Sequence, residues 1–140
     1  MTKFFISPGD PSGIGPEITL KALSKNKDIQ NNFVLAGDKT LYLDLIDKNN
    51  IDLNLIDESS KEKGVAFKHF PLQNQVSLGV PDLANANYII DILSYGALGC
   101  LKKEFKGLIT GPINKELINE SGFEFSGHTE FLADISNAKK

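Results

Sequence analysis

The chain has 140 residues, of which 41% are hydrophobic and 24% charged, and a formal net charge of −3. That balance excludes a disordered chain and argues against nucleic acid or an anionic membrane surface as a main partner. Cys100 is the sole cysteine, so no internal disulfide can form, and no apolar run approaches the ~20 residues of a membrane-spanning helix.

The N-terminus lacks the charged, apolar and cleavable regions of a secretory leader, and a cytoplasmic location is expected. Phe4, Phe5 and Ile6 instead mark a short buried strand over 2–7. Three glycines and three prolines follow within residues 8–16, and Glu17 to Leu23 then reads as a helix with Pro16 at its start. Such a junction can bring bare backbone close to a ligand and offer helix-terminal N–H groups to an anion. Its glycines fit neither a dinucleotide fingerprint nor a Walker loop, so on local physics it is equally a tight connection. Asp10 could contact a ligand or close an Asx-turn, and its place between Gly9 and Pro11 favours the turn.

Residues 32–36 look like a second strand, and Asp38 is a candidate N-cap for a helix over 39–48 with Leu41, Tyr42 and Leu45 facing inward. Ile51, Leu53 and Leu55 alternate with polar residues, which predicts a half-buried strand over 51–56. Residues 57–80 are polar and weakly patterned, with one candidate strand at 65–70. His69 has no carboxylate or second histidine near it in sequence and is assigned no function. A long helix is expected from about Pro81 to Lys103, its apolar stripe formed by Ala86, Ile90, Leu93, Ala97 and Leu101. Gly96 and Gly99 weaken that helix by about 1 kcal/mol each, which suggests close packing against another backbone. A strand over 106–110 ends at Thr110-Gly111-Pro112. Strands alternate with helices throughout, the pattern of an α/β layer fold, and both glycine-containing junctions follow strands and could share one edge.

Beyond that edge lies Phe125-Ser126-Gly127-His128-Thr129-Glu130-Phe131. A lone histidine is usually a surface or satisfied core side chain. Here Gly127 leaves room, and imidazole and hydroxyl together can grip a polar substrate. Glu130 suits a helix start, where a carboxylate complements the dipole. Lys115 could place a positive charge near a phosphate or simply be solvated. No cluster has metal-ligand spacing.

Three blocks, 9–17 (Gly-Asp-Pro-Ser-Gly-Ile-Gly-Pro-Glu), 110–115 (Thr-Gly-Pro-Ile-Asn-Lys) and 127–133 (Gly-His-Thr-Glu-Phe-Leu-Ala), resemble the 4-hydroxythreonine-4-phosphate dehydrogenase family of vitamin B6 synthesis. The first block is also similar to a loop of isocitrate and isopropylmalate dehydrogenases, which share the fold. Asn114 departs from members that carry histidine there, which leaves that side chain's role open.

The resemblance implies a three-layer α/β/α fold of the isocitrate/isopropylmalate dehydrogenase-like type. Because family members are longer, it also implies that residues 1–140 are the N-terminal part of a two-domain enzyme and are inactive alone. It implies NAD-dependent (or NADP-dependent) oxidation and decarboxylation of 4-phosphooxy-L-threonine to 3-amino-2-oxopropyl phosphate in a homodimer. A divalent metal such as Zn, Mg or Co is implied, with ligands outside this chain. His128 and Thr129 are implied substrate-binding residues, with Lys115 a possible phosphate contact. Alternatives are a dehydrogenase of another phosphorylated hydroxy acid, a phosphate acyltransferase of similar architecture, and a non-catalytic binding fragment.

Overall fold

A computed structural model describes residues 2–137. Five strands, β1 (Lys3–Ser7), β2 (Phe33–Gly37), β3 (Leu55–Ile56), β4 (Val65–His69) and β5 (Phe105–Thr110), form one sheet in the order β3-β4-β2-β1-β5. Every pairing is parallel, so each strand is reached by a crossover rather than a hairpin. The crossovers and the C-terminal segment hold helices α1 (Gly15–Lys25), α2 (Lys39–Lys48), α3 (Ala86–Leu101), α4 (Lys115–Glu120) and α5 (His128–Ser136).

The strands alternate their side chains between two cores, as a period of two requires. Ile6, Leu35, Val65 and Phe67 join Leu20 and Leu23 of α1 and Tyr42 and Leu45 of α2 on one face. Phe5, Val34, Ala36 and Ala66 join α3 with Ile118, Phe125 and Phe131 on the other. The result is the expected three-layer α/β/α sandwich. The chain builds outward from β1 through β2 to β4 and β3, and α3 then carries it back to β5 on the far side of β1. The order therefore reverses between β1 and β5. At such a reversal the flanking helices lie on opposite faces and leave a crevice beyond the carboxyl ends of the two strands.

Local chemistry explains most boundaries. α2 spans 39–48 as predicted, because the Asp38 carboxylate accepts from Leu41 N at 3.1 Å. Of its expected inward residues, Tyr42 and Leu45 are buried and Leu41 is half-buried. The strand predicted over 51–56 shrinks to Leu55–Ile56. Ile51 N instead donates to Ile46 O and Leu53 N to Ile51 O, so these amides are spent on turns after α2. The helix expected from Pro81 opens with a 3-10 turn at Leu83–Asn85, where Asp82 accepts from Ala84 N at 2.9 Å. Within α3, Leu101 is 53% exposed, against the predicted stripe, whereas Tyr88, Ile89 and Ile92 are buried. The helix therefore buries more than one side, and a single stripe described it poorly.

Gly96 and Gly99 do mark close packing on the sheet, though against rings rather than backbone. A Cβ at Gly96 would lie 2.5 Å from the Phe5 ring, and one at Gly99 would lie 2.3 Å from the Phe105 ring. These two rings meet at 4.9 Å between centroids with their planes tilted by 40°, so the glycines seat α3 on an aromatic pair. His69 has a structural role: its Nδ1 accepts from Lys39 N at 3.1 Å at the start of α2. No helix among the described residues is long and apolar enough to cross a membrane.

Candidate functional site

The carboxyl ends of β1 and β5 are level, with Ser7 opposite Thr110, so the segments that follow them meet at once. Gly111 N donates to Ser7 O at 2.7 Å, and Asp10 N donates to Pro112 O at 3.0 Å. The two glycine-containing corners therefore form one joint at the reversal point of the sheet.

That joint corrects the reading of its glycines as a cradle of bare backbone. A Cβ at Gly9 would sit 2.1 Å from Pro112 O, one at Gly111 2.1 Å from Pro8 O, and one at Gly15 1.9 Å from Pro8 O. The glycines are needed because two backbones cross here. Several N–H groups of the corner are also occupied. Gly13 N donates to Asp10 O at 3.0 Å, and Ser12 N and Oγ donate to Asp10 Oδ1 at 2.9 and 2.7 Å. Asp10 thus closes the Asx-turn, and its carboxylate is buried and internally satisfied.

From the joint the chain enters α4. Asn114 is its N-cap, Oδ1 accepting from Leu117 N at 3.2 Å, which gives a role to the residue that departs from the family pattern. An asparagine directly before a helical segment is an ordinary capping signal and could have been read from the sequence. Lys115 is the first residue of α4 and is exposed. Among the described residues no hydrogen bond or ion pair joins it to His128 or Thr129.

The loop that leads to the third block is held to α4 by Asn119, a residue with no distinguishing sequence signal. Its Nδ2 donates to Phe125 O at 2.7 Å, and its Oδ1 accepts from Phe125 N at 2.6 Å. This double bond pins the loop after α4. The Phe125 ring is buried and meets the edge of the His128 ring at 5.9 Å and the Phe131 ring at 5.7 Å. Gly127 precedes α5 with φ of +142° and nothing within 4 Å of a would-be Cβ. It is therefore glycine for its backbone angle, not to leave room.

His128 and Thr129 open α5, and Glu130 lies in the same first turn. The Thr129 hydroxyl is on an exposed residue. His128 Nε2 is different: it is buried and has no hydrogen-bond partner among the described residues. An unpaired buried polar atom costs on the order of 1–3 kcal/mol, and in native folds such atoms call for an explanation. Desolvation by burial also lowers the pKa of this imidazole below its ordinary value of 6.5, so it is neutral near pH 7.

The linked pH effect has a definite sign. A folded-state pKa below the unfolded value means that the unfolded chain binds the extra proton first. This group's contribution is complete above pH 6.5 and is lost as pH falls through 6.5 toward the lowered folded value. Urea midpoints should therefore drop from pH 7 toward 5 more steeply in the wild type than in His128→Gln. Parallel pH profiles would show that the ring is not desolvated in solution.

The arrangement offers a neutral imidazole, a free-standing hydroxyl and the positive end of a nine-residue helix, all at one helix start. These suit a polar, anionic small molecule. Among the described residues no three His, Cys, Asp or Glu side chains group together.

Comparison with known proteins agrees with this description. The family model "Pyridoxal phosphate biosynthetic protein PdxA" matches residues 28–140. A 4-hydroxythreonine-4-phosphate dehydrogenase of Vibrio parahaemolyticus is 37% identical over 142 residues, covering 96% of this chain and 42% of that protein. Its counterpart in Pseudomonas aeruginosa is 34% identical over 143 residues, covering 96% of this chain and 43% of that protein. The crystal structure of a 4-hydroxythreonine-4-phosphate dehydrogenase from Burkholderia phymatum superposes with a TM-score of 0.88 at 19% identity, over 100% of this chain and 45% of that one. The chain thus spans less than half the length of the relatives it matches.

Proposed function

Because the chain belongs to the pyridoxal phosphate biosynthetic protein PdxA family, we propose that it supplies the substrate-binding part of a 4-hydroxythreonine-4-phosphate dehydrogenase. The substrate is 4-phosphooxy-L-threonine. The observation that carries this reading is the buried, unpartnered Nε2 of His128 in the first turn of α5, the turn that also holds Thr129. A phosphate or hydroxyl oxygen of the substrate would give that nitrogen the partner it lacks. The Thr129 hydroxyl would bond a second substrate oxygen, and the helix N-terminus would favour its negative charge.

The proposed reaction oxidises the secondary alcohol of the substrate to the ketone, for which NAD, when bound, would supply the hydride acceptor. The resulting β-keto acid then releases carbon dioxide to give 3-amino-2-oxopropyl phosphate. The residues of this chain orient the alcohol and hold the phosphorylated end. The divalent metal implied by the resemblance has no fitting donor set among the described residues, and its ligands are assigned to segments beyond this chain. The homodimer and the cytoplasmic location belong to the same proposal, and Lys115 is kept as a longer-range phosphate contact.

Calorimetry with 4-phosphooxy-L-threonine tests the reading directly. The wild-type chain should bind, and His128→Ala should weaken binding about tenfold or more, the loss of one strong hydrogen bond to a charged group. Equal affinity in the two proteins would remove His128 from the site. Absence of any binding heat in the wild type would overturn the role of this chain as the substrate-holding part.

A further inference from the structure

His128 is half-buried as a residue, yet its Nε2 is covered and meets no hydrogen-bond partner among the described residues. A covered atom can be reached neither by water nor by a substrate oxygen. If Nε2 is to bond substrate, the imidazole must first leave the orientation it holds in the free chain. An aromatic contact holds it there. The Phe125 ring meets the imidazole edge-on, with 5.9 Å between centroids and 79° between planes.

Phe125 is a fixed wall. It is buried, its ring packs against Phe131 at 5.7 Å, and its backbone N–H and carbonyl are both bonded by the Asn119 side chain. His128 has more freedom. It is the first residue of α5, so no preceding helical turn restricts its χ1 as it would inside a helix. Gly127 before it stands in open space, with nothing within 4 Å of a would-be Cβ. The unmet hydrogen bond of Nε2 favours leaving the wall, and the ring contact favours staying.

We propose that Phe125 is a positioning residue of this site, whose ring parks the His128 imidazole with Nε2 covered until the imidazole turns outward to meet substrate. This rests on the substrate-binding role proposed above and adds to it a second orientation of one side chain. Only the turned-out fraction of molecules binds, so parking weakens the apparent affinity in proportion. Protonation releases the ring in the same way, because a charged imidazole cannot leave an N–H buried without an acceptor. The lowered pKa of His128 agrees, and burial is its cause. No charge adds to that shift: not Glu124 in the loop, nor Glu130 and Asp134 on α5, nor Asp91, the one charged side chain of α3, the helix packed on α5.

NMR on this chain provides the test. In the free wild type, nuclear Overhauser contacts should join the Phe125 and His128 rings at pH 7. Lowering the pH through the titration of His128 should remove them while the contacts between Phe125 and Phe131 persist. Saturating 4-phosphooxy-L-threonine at pH 7 should remove them likewise. Phe125→Leu keeps an apolar side chain in the core and both backbone bonds to Asn119, but removes the ring edge. In that variant the His128 pKa should move up toward 6.5, and calorimetric affinity for 4-phosphooxy-L-threonine should rise about threefold or more. A merely structural Phe125 would give weaker binding with an unchanged pKa, and that result overturns the proposal. So does ligand binding that leaves the wild-type ring contacts intact, a measurement that needs no variant to fold. If calorimetry detects no binding in the wild type, the functional reading falls, and the acid titration of the ring contacts decides the parking by itself.

Discussion

Gly9→Ala is expected to destabilise the chain by about 3–5 kcal/mol, enough to unfold a large fraction of a domain whose total stability is typically about 5–15 kcal/mol. Two costs combine. The residue has φ of +90°, a region that costs an L side chain about 1–2 kcal/mol. Its Cβ would also lie 2.1 Å from Pro112 O and 2.9 Å from the carbonyl carbons of Gly111 and Pro112, all backbone atoms. Backbone cannot rotate away as a side-chain tip can, so the β1 and β5 corners must separate, and overpacking of this kind costs about 1–3 kcal/mol or more. Gly13→Ala is the control. Its Cβ would meet Asp10 O at 3.5 Å, an ordinary contact, and a change within about 0.5 kcal/mol is expected. Urea unfolding of the two variants measures the difference directly. Similar midpoints would mean that the two corners are not joined in solution as described.

The second large effect is expected at Asn119. Truncation to alanine leaves Phe125 N and Phe125 O without partners beside a buried ring, at a cost of about 2–4 kcal/mol. Asn119→Asp separates the two bonds: it keeps the acceptor for Phe125 N and loses the donor to Phe125 O. The functional consequence follows from geometry, because Phe125 meets His128 ring to ring and positions the start of α5. Substrate affinity should fall in Asn119→Ala even under conditions where the variant remains folded. An Asn119→Ala protein that folds and binds like the wild type would show that the loop before α5 holds its shape without this clamp.

Much of the architecture was written in short-range chemistry. The Asp38 cap and the boundaries of α2 follow from one side chain and its neighbours. The Asx-turn at Asp10 is equally local, and so is the alternation that distributes Phe5 and Ile6 to opposite faces. Periodicity, capping and turn chemistry act within a few residues, so a sequence displays them openly. The three blocks that carry the family likeness were visible in the same way.

The sequence by itself thus determined the α/β alternation, the family, and His128 with Thr129 as the residues to suspect. Tertiary structure alone decided what the glycines are for. Gly9 and Gly111 are explained by a crossing of Pro8 and Pro112 that brings together segments about a hundred positions apart, and Gly15 by the return of its own corner onto Pro8 O. It also decided that Leu101 faces outward, that residues 51–54 leave the sheet, and that Asn119 holds the loop bearing His128. The physical reason is common to all of these. Whether a Cβ fits, an amide is already spent, or a carboxamide finds a distant backbone depends on atoms that become neighbours only when β5 pairs beside β1 and α3 settles on the sheet.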